Sequence, residues 1–93
     1  MPRITSANDA YGHELWACLA DGQAEEIVER DDGFVSACDW PKRYFAEFKA
    51  WPAHERQAMR FVHGVRALDV GSGAGRVSLL LQRKGLTVAA IDN

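Results

Sequence analysis

The sequence predicts an α/β fold in which a mainly helical, aromatic-rich leader precedes the beginning of a doubly wound parallel sheet. All nine aromatic residues lie before residue 62. Residues 65–93 instead order short apolar runs and glycines as strand, loop, helix and strand. We therefore divide the chain into a leader or cap, residues 1–64, and the first βαβ unit, residues 65–93, of a domain that we expect to be incomplete in this chain.

The leader is expected to begin with a helix. Asn8 or Asp9 can cap its start, and Gly22 is a natural stop. Its apolar residues at helical spacing are Leu15, Trp16 and Leu19.

Residues 24–36 fit two structures. Ile27 and Val28 suit helical spacing, but Asp32-Gly33 between two apolar pairs suits a hairpin turn. We favour the hairpin. Asp31 and Asp32 then serve the turn rather than acting as an acid/base pair.

Two further helices are predicted in the leader. Asp39 is expected to cap one of them, and its apolar stripe is more simply core than a ligand cage. That stripe consists of Tyr44, Phe45 and Phe48. Pro52 can start the next helix, which we expect to run to about His63 and to end at Gly64.

The second half carries a clearer pattern. Residues 67–70 and 88–91 form two short apolar runs, as expected for strands covered on both faces. The helix between them has an apolar face and should end at Gly85. That face contains Val77, Leu80 and Leu81. A helical crossover of this kind predicts parallel strands.

The loop between the first strand and the helix predicts a ligand site. Gly71, Gly73 and Gly75 lack a Cβ, so the backbone can turn sharply and a ligand can approach it. The helix start offers free N–H groups to an anionic group. Asp92, at the end of the next strand, can accept hydrogen bonds from a ribose diol. This is the arrangement of a Rossmann-like cofactor-binding fold.

The loop departs from the dinucleotide fingerprint G-x-G-x-x-G. Arg76 or Ser78 stands where the third glycine should be, depending on the starting glycine. Asp69, at the end of the first strand, is a poor neighbour for a pyrophosphate. It suits a zwitterion with an ammonium and a sulfonium beside its carboxylate, such as S-adenosylmethionine. Arg76 is expected either in solvent or at a ligand carboxylate.

The last third of the chain resembles the class I S-adenosylmethionine-dependent methyltransferases. Residues 67–76, Ala-Leu-Asp-Val-Gly-Ser-Gly-Ala-Gly-Arg, look like their first motif, and residues 88–93 look like their second. Asp31-Asp32-Gly33, the Tyr44 helix and Trp51-Pro52 also look like the leader of some small bacterial methyltransferases.

The resemblance implies a set of cofactor-binding residues. The backbone at Gly71 and Gly73 would hold the methionine part, and Asp69 would orient it. Asp92 would bind the ribose hydroxyls, and Asn93 would lie near the adenine. The complete set is Asp69, Gly71, Ser72, Gly73, Gly75, Asp92, Asn93 and Tyr44, the last because family leaders often fold over the cofactor.

The expected function is methyl transfer from S-adenosylmethionine, which leaves S-adenosylhomocysteine, to an acceptor that the sequence does not reveal. No catalytic base is assigned, and we expect this chain alone to be inactive. The alternatives are a domain for another nucleotide cofactor, such as NAD(P), and a non-catalytic binding or assembly module.

Composition sets the remaining expectations. The net charge of −2 gives no signal for nucleic acid, and no apolar run approaches the roughly 20 residues of a membrane span. The histidines and cysteines match no metal spacing, and we expect a cytoplasmic protein with reduced thiols. These residues are His13, His54, His63, Cys18 and Cys38. Unpaired strand edges predict self-association or a companion chain that completes the sheet.

Overall fold

The computed structural model describes residues 3–38 and 40–93. They belong to two compact units, Met1–Arg43 and Tyr44–Asn93. Residues 44–64 thus share a unit with the βαβ segment. The division after residue 64 concerns the domain organisation of the protein and stays a prediction.

The first unit begins with helix α1, Ala10–Asp21. Asp9 caps it, because its carboxylate accepts the N–H of Gly12 at 2.8 Å. Gly22 ends it in the left-handed conformation, with φ of 69°. The predicted helix is confirmed, and of the two candidate caps the chain uses Asp9.

The predicted apolar stripe of α1 lies mostly in solvent. Trp16 and Leu19 are 70% and 62% exposed, and Leu15 is half-buried. The buried residue of this helix is Cys18. Helical spacing thus places these residues on α1 as expected, but Trp16 and Leu19 are not buried.

Strands β1, Glu26–Glu29, and β2, Val35–Cys38, pair antiparallel, which confirms the hairpin. Gly33 takes φ of 82° in the turn. The Asp32 carboxylate accepts the N–H of Phe34 at 3.1 Å and pairs with Arg30. Asp32 thus stabilises the turn, as expected.

The helix predicted after Asp39 is wrong in type, and its cap, Asp39, lies outside the described residues. The chain forms two 3₁₀ helices instead, Trp40–Phe45 and Phe48–Ala50. The Trp51 indole N–H donates to the Ala46 carbonyl at 2.8 Å. A continuous α-helix would need that carbonyl for a backbone N–H four residues later, so the indole replaces this bond and the chain bends.

The next helix, α2, Ala53–Ala58, follows Pro52 as predicted, but it is shorter than expected. It continues as a 3₁₀ turn, Met59–Phe61, and Val62 is already extended. Phe61 is 82% exposed, so no burial stabilises a longer helix. Gly64, with φ of 98°, lies in the loop before the next strand and does not cap the helix.

The βαβ unit is confirmed. Strands β3, Arg66–Val70, and β4, Thr87–Ile91, are parallel and in register. Helix α3, Arg76–Arg83, connects them and buries Leu81. Gly85 follows the helix with φ of 92°, as the stop signal predicted.

The two faces of this sheet differ. Asp69 bonds to a side chain of α3, so the face that also carries Ala67 is directed toward the helix. On the other face Leu68, Val70 and Ile91 are 63%, 69% and 52% exposed. Among the described residues, each helix falls short of the length and apolar content that a membrane span requires.

Candidate functional site

The glycine loop between β3 and α3 is open to an incoming ligand. Gly71, Gly73 and Gly75 have φ angles of 72°, 54° and 85°, in the left-handed region that favours glycine. Apart from each glycine and its two chain neighbours, no described heavy atom lies within 4 Å of the position that a Cβ would occupy at any of the three. A side chain there would strain the backbone and fill the space above it.

The loop is fixed over the end of β4. The N–H groups of Gly71 and Ser72 both donate to the Ile91 carbonyl, at 2.8 and 3.1 Å. Gly75 donates to the Ser72 carbonyl at 2.9 Å and closes the turn that leads into α3. The loop therefore lies at the carboxyl edge of the sheet, where open α/β sheets bind their ligands.

Asp92 joins the loop at this edge. One carboxylate oxygen, Oδ2, accepts the N–H of Gly73 at 2.5 Å, and the other accepts the N–H of Asn93 at 2.8 Å. The two features that the sequence separated by 19 positions thus meet directly. An open groove of about 340 Å³ runs beside them. It is lined by Val70, Gly71, Ile91, Asp92 and Asn93.

Asp69, near the end of β3, contacts the start of α3. Its carboxylate accepts a hydrogen bond of 2.6 Å from the Ser78 hydroxyl, in the first turn of α3. A negative charge is therefore fixed beside the start of this helix. The sequence showed Ser78 only as a departure from the dinucleotide fingerprint and gave no sign of this partnership.

The start of α3 adds donors. Within the described part of the chain, the N–H groups of Ala74, Arg76, Val77 and Ser78 have no acceptor. Unsatisfied donors at a helix N-terminus favour an anionic group. The loop edge thus offers both N–H donors and two carboxylates, which suits a ligand with groups of both signs.

Arg76 is neither solvated nor free for a ligand carboxylate. Its guanidinium pairs with Glu55 at 2.6 Å and lies 4.6 Å from the centre of the Trp51 ring. Sequence reasoning missed both partners, because nothing in the spacing indicates that α2 and α3 share this contact.

Tyr44 lies near the loop. It lines a cavity of about 80 Å³ together with Ala74, Arg76 and Trp51. That volume is too small for a ligand of cofactor size, which needs roughly 300 Å³ or more. Among the described residues, no cluster of histidine, cysteine or carboxylate side chains could hold a metal ion.

Comparison with known proteins supports the fold. No protein-family model matches the chain, and no curated protein sequence matches it significantly. One solved structure is similar over 98% of the chain, with 27% sequence identity and a TM-score of 0.79. It is a SAM-dependent methyltransferase from Bacteroides fragilis in complex with S-adenosyl-L-homocysteine. The chain spans 37% of that protein's length, so it has a methyltransferase-like fold that corresponds to a part of that protein.

Proposed function

We propose that this chain carries the S-adenosylmethionine-binding segment of a class I methyltransferase. One observation carries the proposal: the Asp92 carboxylate accepts the N–H of Gly73, so the acid at the end of β4 meets the glycine loop at one sheet edge. The similar Bacteroides fragilis methyltransferase, which holds S-adenosyl-L-homocysteine, supports the same cofactor class.

Asp92 has the capacity to hold a ribose diol without losing its present partners. An ionised carboxylate has about four lone-pair sites. The N–H groups of Gly73 and Asn93 use two of its directions. The remaining sites can accept two hydroxyl groups, and the groove beside Asp92 gives them access. Asn93, at the same edge, would then lie toward the adenine.

The methionine part fits the other side of the loop. Its carboxylate can accept the free N–H groups at the start of α3, while its ammonium is attracted to Asp69. Gly71, Ser72, Gly73 and Gly75 form the backbone surface between these groups. Tyr44 is proposed to cover the bound cofactor, since it lies close to Ala74.

The same geometry argues against the NAD(P) alternative. A pyrophosphate at the start of α3 would lie next to the Asp69 carboxylate, which Ser78 holds in place. Like charges at short range in a partly buried site are unfavourable. A zwitterionic ligand avoids this repulsion, because its cationic groups can face Asp69.

Methyl transfer requires little covalent chemistry from the protein. The cofactor supplies an electrophilic methyl group on a good leaving group. The residues of this chain bind and orient it, which is a contribution of proximity and alignment.

The proposal is tested with Asp92→Ala. We expect this variant to weaken binding of S-adenosylhomocysteine by about 2–3 kcal/mol, because it removes hydrogen bonds to a charged acceptor. Calorimetric titration of the protein measures the change. Asp31→Ala, an exposed aspartate of the hairpin turn, is the matched control and should bind like wild type. Equal affinity in wild type and Asp92→Ala would mean that the site is assigned wrongly.

A further inference from the structure

Trp51 is the centre of a side-chain cluster beside the glycine loop. The residue is 4% exposed. Its indole N–H donates to the Ala46 carbonyl at 2.8 Å, and the Phe48 ring meets it edge-on with 5.3 Å between ring centres. These contacts hold the indole in one orientation, with the Arg76 guanidinium over the ring.

Arg76 connects this indole to α2 through Glu55. The ion pair is 2.6 Å long, and its side chains are 21% and 33% exposed. A second pair, between Arg83 of α3 and Glu47, is 3.6 Å long with side chains 65% and 70% exposed. Exposed pairs contribute little because water screens them. The Arg76 contacts are shorter and less hydrated, and the aromatic face adds a cation–π attraction.

Arg76 links this side-chain cluster to the glycine loop. Arg76 is the first residue of α3 and directly follows Gly75, whose φ of 85° turns the loop into the helix. The backbone that offers N–H donors to a ligand is therefore attached to the residue that Trp51 and Glu55 hold. The segment that supplies these two residues also carries Tyr44, which lines the same cavity as Ala74 and Arg76.

We propose that Trp51, Glu55 and Arg76, here named the Arg76 clamp, position the glycine loop and the Tyr44 segment for cofactor binding without touching the cofactor. The inference rests on the proposed function for its ligand. It assigns a role to Arg76, which belongs to the loop motif in sequence but whose side chain contacts Trp51 and Glu55. The planar guanidinium suits this role better than an ammonium, because it can stack on the indole and pair with the carboxylate together.

The first experiment compares arginine variants on one helix. Wild type, Arg76→Ala, Arg76→Lys and Arg83→Ala are labelled with ¹⁵N and titrated with S-adenosylhomocysteine, and amide shifts report the Kd. We expect Arg76→Ala to raise the Kd about tenfold, because it removes a cation–π contact and a partly buried ion pair. Arg76→Lys should restore part of the lost affinity. Arg83→Ala should stay within about twofold of wild type. Equal Kd values in the Arg76 and Arg83 variants would overturn the proposal.

A second measurement separates positioning from general stability. Tyr44→Ala is made in wild type and in the Arg76→Ala chain, and the two losses of affinity are compared. If the clamp positions Tyr44, the Tyr44→Ala substitution should reduce the affinity for S-adenosylhomocysteine less in the Arg76→Ala chain than in wild type. Additive losses would contradict the clamp. Glu55→Gln removes the charge of the ion pair but keeps the side-chain shape and leaves Arg76 over Trp51. It should therefore raise the Kd less than Arg76→Ala.

The failure of the proposed function has a different signature. If wild type shows no saturable shift with S-adenosylhomocysteine, the cofactor assignment fails. The clamp is then judged on the ligand-free chain by amide hydrogen exchange at Gly73 and Gly75, the two loop residues of this stretch whose N–H groups are hydrogen-bonded. Arg76→Ala should accelerate exchange there and Arg83→Ala should not. Equal exchange in both variants would overturn the clamp by itself.

Discussion

Glu14, on helix α1, holds a carboxyl oxygen, Oε1, that is buried without a hydrogen-bond partner among the described residues. Desolvation, with the nearby Glu26 charge as a second cause, raises the pKa of Glu14 above its usual 4.5. A raised pKa means that the folded chain binds this proton more tightly than the unfolded chain does. The stabilisation from the protonated form is thus complete below the unfolded pKa and is lost as the pH rises through the folded pKa.

We therefore expect Glu14→Gln to be more stable than wild type at pH 7, with a difference that shrinks as the pH is lowered toward 4. Urea unfolding at the two pH values measures it. Gln23→Ala, a change at an exposed and uncharged residue, is the control and should show the same difference from wild type at both pH values. A Glu14→Gln difference that is the same at both pH values would contradict the assigned cause.

Single residues also show what a sequence can reveal about the candidate site. The glycines at 71, 73 and 75 and the acid at 92 were predictable, because backbone freedom and strand ends are local properties. The contacts of Arg76 and Ser78 were not predictable, because they depend on how the elements around the loop pack. The sequence contains no local signal for the contact between Arg76 and Trp51.

Among the secondary-structure elements, helix α1 begins at a cap formed by a neighbouring residue in sequence. The Asp9 carboxylate satisfies one of the free N–H groups of the first turn, at Gly12. We expect Asp9→Ala to lower the free energy of unfolding by about 1 kcal/mol. Asp21→Ala, at the other end of the helix, removes an exposed carboxylate that caps nothing and should be close to neutral. Urea denaturation that ranks the two variants in the opposite order would refute the capping role.

The elements that the sequence predicts correctly contain local residues that start, end or turn the chain. Helix α1 has a cap and a glycine stop, the hairpin has Asp32 and Gly33, and the βαβ unit has its glycines. The region between residues 40 and 61 differs, since the Trp51 indole takes a backbone carbonyl that an α-helix needs. A side chain that competes for a main-chain acceptor is a tertiary effect, and apolar spacing alone predicts the wrong helix type there.

In the molecule as a whole, one apolar face of the β3–β4 sheet is left largely uncovered by the described residues. Leu68, Val70 and Ile91 lie largely in solvent, and each strand of the β3–β4 pair has one neighbour among the described residues. Exposed apolar faces and unpaired edges favour association. We expect sedimentation equilibrium to show association that increases with concentration.

A variant pair tests which surface associates. Leu68→Lys places a charge on the exposed sheet face and should shift the protein toward monomer. Phe61→Lys changes a residue that is 82% exposed outside the sheet and should not. A strictly monomeric wild type at high concentration would rule out association through this face.

We have proposed that the loop edge at Gly73 and Asp92 binds an S-adenosylmethionine-type cofactor. The most direct measurement is the amide resonance of Gly73 in the ¹⁵N-labelled chain during titration with S-adenosylhomocysteine, with NAD⁺ as the comparison ligand and Gly33 of the hairpin turn as the internal control. We predict a saturable shift at Gly73 with S-adenosylhomocysteine, a much smaller one with NAD⁺ and none at Gly33. A Gly73 resonance that responds to NAD⁺ as strongly, or to neither ligand, would contradict the assignment of this cofactor site.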